Sequence, residues 1–250
     1  MSSAQAGGFF EEKHMTYPVA FFSGVGVSEN SVGIYSGAVA ALNGDLDKSG
    51  FVVRIVSTVG WYDYDSSGTN IDGDYFQGDI LIGYQATENG ITLRGYIGPD
   101  YQDHELSPDD LTNEVRGSET GIKVSFDLER ERYSKSPYHF ELRGSYSTSF
   151  DTYYALGRVG LNLDYAAIGP EVWAFGDEEG DAQRVGAFIL FDYALSKEYV
   201  GTLAFSGGYQ FSSDSGNTGT SPYANEGIYG TIQYSIAIGE TVFEDLFGDG

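Results

Sequence analysis

Two hundred and fifty residues fit one large domain or two small ones, but 35 Gly, 20 Tyr and 16 Phe at only 20% charged residues exclude both a disordered chain and a helical bundle, because glycine costs a helix interior roughly 1 kcal/mol. The absence of Cys excludes disulfides, thiolate metal sites and cysteine nucleophiles, and a formal charge of -24 repels phosphates strongly enough to exclude a nucleic-acid binder. No run approaches the ~18 uncharged apolar residues of a membrane helix, so any membrane entry must use strands.

The chain opens MSSAQAGG, without the basic and apolar regions of a secretory signal, and Ala4-Gln5-Ala6 has the small-x-small look of a cleavage site. Residues 1–17 therefore read as a leader at a mature start, 18–239 as one β-barrel domain, and 240–250 as an acidic tail. Period-two alternation predicts twelve strands near 19–27, 31–42, 51–64, 75–86, 91–103, 115–128, 138–148, 152–163, 166–175, 183–193, 199–211 and 226–238. The punctuation between them is turn chemistry: Asn43-Gly44-Asp45, Ser67-Gly68, Asp72-Gly73-Asp74, Glu88-Asn89-Gly90, Lys135-Ser136-Pro137 and Ser215-Gly216-Asn217. Such short connections predict antiparallel neighbours in an up-and-down meander.

Each strand has one greasy and one polar face. Phe76, Ile80, Ile82 and Tyr84 oppose Tyr75, Gln77, Asp79, Gly83 and Gln85; Leu203, Phe205, Tyr209 and Phe211 oppose Thr202, Ala204, Ser206 and Gln210. Alternation alone does not say which face points outward, and a soluble barrel or sandwich would bury the greasy one. Three features favour the inverted arrangement. The segments match the ~9–11 residues that a tilted strand needs to cross hydrocarbon. Trp61, Tyr62, Tyr64, Tyr153 and Tyr154 cluster at strand ends, as an interfacial girdle does. The polar faces carry both signs, which can pair across a closed interior. The expected fold is a single closed antiparallel barrel of about twelve strands of the outer-membrane type. Arg54, Arg94, Arg143, Arg158 and Arg184 should point inward and pair with Asp79, Glu141, Glu171 or Asp192.

Residues 35–46 (YSGAVAALNGDL), 100–110 (DYQDHELSPDD), 116–121 (RGSETG), 144–160 (GSYSTSFDTYYALGRVG), 169–171 (GPE) and 181–188 (DAQRVGAF) carry a resemblance. In this order and spacing, from about Tyr35 to Ala237, the sequence resembles the cellulose biosynthesis protein BcsS family of Gram-negative bacteria. The resemblance implies an outer-membrane barrel accompanying cellulose synthase components, with no catalytic motif to carry over. The eleven residues after Gly239 depart from barrels that end on an aromatic residue of the last strand.

Candidate sites are weighed against plain structural roles. His139, Glu141 and Ser145 share a polar face, but His139 and Ser145 lie roughly 20 Å apart along an extended strand, too far for a dyad. No catalytic residue is expected. Asp100, Asp103, Glu105, Asp109 and Asp110 offer oxygen ligands that suit Ca²⁺ but lack any EF-hand spacing, so they read as a solvated acidic loop and no metal or cofactor is expected. Arg116, paired with Asp109 or Asp110, and Glu119, paired with an arginine on a neighbouring strand, read as an ionic latch and as members of the interior ionic network. Tyr101, His104, Tyr153 and Tyr154 are the candidate glycan- or partner-binding residues, on an ordered segment between Asp100 and Glu119. The function expected is a non-catalytic outer-membrane accessory to cellulose synthesis or secretion, in contact with lipid and with β-glucan or another secretion component. A small oligosaccharide porin and a soluble periplasmic glycan-binding barrel are the alternatives.

Overall fold

The computed structural model describes residues 16–130, 136–163, 166–196, 198–212 and 225–240. Within them lie twelve strands: β1 (Val19–Val27), β2 (Ser31–Ala41), β3 (Gly50–Ser66), β4 (Thr69–Glu88), β5 (Ile91–Ser107), β6 (Gly117–Arg130), β7 (Tyr138–Ser147), β8 (Tyr153–Leu163), β9 (Ala166–Asp177), β10 (Gly180–Ala194), β11 (Tyr199–Ser212) and β12 (Gly227–Ile238). Each pairs antiparallel with its sequence neighbours, and β1 closes on β12 from Val19↔Ile238 to Val27↔Gly230. Closure leaves no unpaired edge around the wall. The first and last described residues are tied together as well, Thr16 donating its hydroxyl to Glu240 Oε2 at 2.7 Å. Residues 1–15 of the expected 1–17 leader, residues 241–250 of the 240–250 tail, and the turn at Ser215-Gly216-Asn217 lie outside the described residues.

Two hairpins follow from their turn residues. Ser67 and Gly68 have φ of 53° and 83°, and Asn89 and Gly90 have 54° and 74°. Two successive positive φ values give the turn whose twist matches the flanking strands. Asp72-Gly73-Asp74 is a correction: it lies inside β4, not in a turn. A Cβ on Gly73 would sit 2.4 Å from the Tyr62 ring, so glycine is there to admit that ring.

The apolar faces point outward. Ile55, Ile80, Ile82, Ile97, Ile122, Val159, Val172 and Val185 are all more than half exposed on the outer wall. Lys123, Arg158, Glu141, Glu171, Asp79, Asp100, Gln85 and Gln210 are buried within it. An exposed belt of this extent is stable only against an apolar solvent, which is how a membrane barrel is built. Among the described residues no helix is long and apolar enough to cross a membrane.

β4 has 20 residues, and β3 and β5 have 17 each. That exceeds the ~9–11 residues a crossing needs. The excess projects beyond the mouth opposite Thr16 and Glu240, here called the distal mouth, and lifts a four-strand wall from β3 to β6 above it.

Candidate functional site

The register stacks inward-facing side chains of this wall in rungs. From the distal mouth downward they run Tyr64 and Ile71; Tyr62, Gly73 and Leu106; Gly60, Tyr75, His104 and Gly117; Thr58, Gln77, Gln102 and Glu119; Val56, Asp79, Asp100 and Gly121; then Arg54, Leu81, Gly98 and Lys123. The upper rungs are aromatic, the next is amide-rich, and the lower ones are ionic.

At mid-depth the charges meet. Lys123 Nζ donates to Asp79 at 2.9 Å and to Asp100 at 2.8 Å. Asp100 also accepts from Ser147 at 2.7 Å and Gln102 at 2.8 Å. On the far side Arg158 pairs with Glu171 at 2.8 Å and Glu141 at 3.2 Å, and reaches across the lumen to Gln233 at 3.1 Å. Tyr229 donates to Glu171 at 2.7 Å from the same side as Gln233. Arg143 pairs with Glu141 at 2.6 Å and lies 3.9 Å from Glu129, which also holds Arg94. Arg54 spans from β3 to Ser125 at 2.7 Å and Asp127 at 3.6 Å on β6. Arg184 lies over the Phe175 and Tyr229 rings at 4.7 and 4.9 Å and donates to Gln210 at 2.8 Å. The Arg158–Gln233, Tyr229–Glu171 and Arg54–Ser125 ties join strands three or more apart, and with the buried ion pairs they fill the lumen with its own side chains at this level.

Several expectations need correction. Asp79 pairs with Lys123 rather than with an arginine. Glu119 accepts the Phe150 backbone N–H at 2.9 Å. Arg116 meets Asp109 at 3.7 Å, as the latch expects, but not in the interior: both side chains are exposed, a pair worth about 0–1 kcal/mol. Asp100 is not a solvated loop acid but is 1% exposed and ion-paired. Among the described residues no three His, Asp or Glu side chains gather to hold a metal ion. His139 lies against the Phe188 ring, 5.4 Å between centroids.

The four candidate aromatic residues do not form one surface. Tyr101 is 40% exposed on the outer wall beside Phe76, whereas His104, three residues on, is buried in the lumen. An odd separation along a strand always divides two side chains this way. Tyr153 likewise faces outward and donates to Asp181 at 2.5 Å, and Tyr154 packs inward on Trp173, 5.5 Å between centroids. What His104 joins is an aromatic cluster that only the strand register assembles. It lies near-parallel to Tyr75 (5.6 Å, 17°), 3.3 Å from the Tyr62 hydroxyl through Nδ1, and edge-on to Phe150 (5.3 Å, 82°).

The β5–β6 loop caps this cluster. Tyr64 donates to Asp110 at 3.3 Å and accepts from Asn113 at 2.9 Å. The Thr112 hydroxyl, most of all, then Ser66, the Thr112 N–H and Tyr64, hold the Asp110 carboxyl below its ordinary value of 3.8 against the opposing effect of burial. A depressed folded-state value means the carboxylate stabilises the cap above the unfolded value and stops doing so as pH falls through the folded one. Hydrogen exchange of residues 108–116 is therefore expected to accelerate below pH 3.8, with Asp110→Asn already fast at neutral pH. Equal protection of that variant and the parent would refute the cap.

A closed, antiparallel twelve-stranded barrel with an apolar exterior and an ionic interior is the architecture of the outer-membrane β-barrels. The family model for cellulose biosynthesis protein BcsS matches residues 20–238, and the chain belongs to that family. Among solved structures, the β domain of the Bordetella autotransporter BrkA is similar over 90% of this chain and 99% of its own, at TM-score 0.51 and 10% identity. A Pseudomonas aeruginosa FadL homologue covers 88% of this chain and 75% of its own (TM-score 0.43, 10% identity), and the KdgM porin 86% and 97% (TM-score 0.40, 7% identity). Likeness at such identities concerns the fold alone. No curated protein matches the sequence.

Proposed function

We propose that this BcsS-family barrel is a non-catalytic accessory of the Gram-negative outer membrane that assists cellulose synthesis or secretion by holding the glucan or another secretion component at its distal mouth. The observation that carries the reading is the filled lumen: Arg158, Glu141, Glu171, Lys123, Asp79 and Asp100 are all buried and paired at mid-depth. A lumen occupied by its own ion pairs supports a scaffold over the oligosaccharide porin. The exposed apolar belt argues against the soluble periplasmic barrel. The distal mouth carries the β5–β6 loop and the projecting wall, and long connections in such barrels face the cell exterior.

Deleting the gene is expected to lower cellulose at the cell surface, with the parent chain restoring it. Purified barrel in planar lipid bilayers is expected to pass no steady current. Unchanged surface cellulose would refute the accessory role, and steady open-pore conductance would favour the porin.

A further inference from the structure

The β7–β8 turn has an unusual backbone. Phe150 and Asp151, neither of them glycine, both take left-handed conformations, with φ of 52° and 47°. Such residues persist only where their surroundings over-determine them, and they concentrate at clamps and switches. Here the surroundings are identifiable. Glu119 accepts the Phe150 N–H at 2.9 Å, the Glu178 N–H donates to the Phe150 carbonyl at 3.1 Å, and Gln102 donates to the Ser149 carbonyl at 3.2 Å. The three partners come from β6, the β9–β10 turn and β5. They hold Phe150, 5% exposed, edge-on against His104.

Behind Phe150 is a flat aromatic floor. The His104 and Tyr75 rings are near-parallel, and Tyr75 lies on Gly60 and Gly33, where a Cβ would come within 2.2 and 2.8 Å of it. Gln77 and Gln102 form the rung directly below, backed by Asp100. Aromatic faces above amide and carboxylate groups are what a hexopyranose needs, since its C–H faces pack on rings while its hydroxyls donate and accept at the edge. The adjoining Glu119, Asp151, Asp177, Glu178 and Glu179 make the approach acidic, which disfavours anionic glycans.

We propose that Phe150 is an internal occupant of a glucan subsite. In the closed state its ring stands edge-on against His104 and blocks that end of the floor. When the β7–β8 turn swings outward, relieving its left-handed backbone, one glucose unit of a neutral β-glucan takes the place of the ring. This rests on the reading of the barrel as a cellulose accessory, and it supplies that reading with a contact and a reason for the strained turn.

The test uses the full barrel in detergent, titrated calorimetrically with cellohexaose. Phe150→Gly and Phe150→Asn remove the ring while tolerating the backbone conformation. A subsite covered nine-tenths of the time binds tenfold more weakly than an open one, so each variant is expected to bind about 10-fold more tightly than the parent. Adding Tyr75→Ala to Phe150→Gly is expected to abolish that gain, and an anionic oligogalacturonate is expected to bind neither variant. Correctly folded Phe150→Gly and Phe150→Asn barrels that bind cellohexaose no better than the parent would overturn the subsite. The accessory role is judged separately, by surface cellulose in the deletion strain, so either idea can fail without the other.

Discussion

Replacing Ile82 or Phe205 by lysine is expected to cost about 2–4 kcal/mol, the penalty for a cation on the lipid face near the bilayer midplane. Ile82 lies on the outer face of β4 at 54% exposure, and Phe205 on that of β11 at 38%. Neither makes a polar contact that a longer side chain would disturb. Equilibrium unfolding in urea from phospholipid vesicles measures the loss. In a soluble barrel with these residues at its surface, lysine would be nearly neutral, so a change below about 0.5 kcal/mol would refute lipid contact.

Replacing Arg158 by methionine is expected to cost about 3–5 kcal/mol, because Glu171 would be left charged and buried with only the Tyr229 hydroxyl, while Glu141 keeps Arg143. The arginine side chain is 2% exposed and the two carboxylates 4% and 0%. Screening by water cannot soften the loss as it does for Arg116 and Asp109. Adding Glu171→Gln to Arg158→Met is expected to recover most of the stability, since the stranded charge goes with its partner while Glu141 stays paired with Arg143. If Arg158→Met alone is neutral, the mid-lumen is hydrated and the packed interior is wrong.

The strands were legible because their alternation is strict: Phe76, Ile80, Ile82 and Tyr84 needed nothing beyond period two. The length of β4 was not. Asp72-Gly73-Asp74 has turn composition, yet Gly73 serves the Tyr62 ring from the neighbouring strand, and only the β3–β4 register brings the two together. The same limit hid the partners of Lys123, Asp79 and Asp100, which lie 44 and 23 residues away. Local pattern assigns a residue to a face; partner choice across the lumen depends on shear, which no local pattern carries. Tyr101 and His104 are a different case. Their spacing of three already places them on opposite faces, and grouping them overlooked a rule the sequence itself supplies. Phe150 had no such signal, because an aromatic residue in a polar turn gives no sign that it points inward.

The most direct measurement of the inside–outside assignment uses the two native tryptophans. Trp61 is 50% exposed on the outer wall of β3, and Trp173 faces the lumen beside Arg158, whose guanidinium carbon lies 5.9 Å from its ring. Trp61→Phe and Trp173→Phe each leave a single tryptophan for fluorescence in vesicles containing brominated lipid. Bromolipid is expected to quench Trp61 strongly in the Trp173→Phe variant and to leave Trp173 nearly unquenched in the other. Strong lipid quenching of Trp173, or none of Trp61, would contradict a barrel with its apolar face outward and its ionic face within.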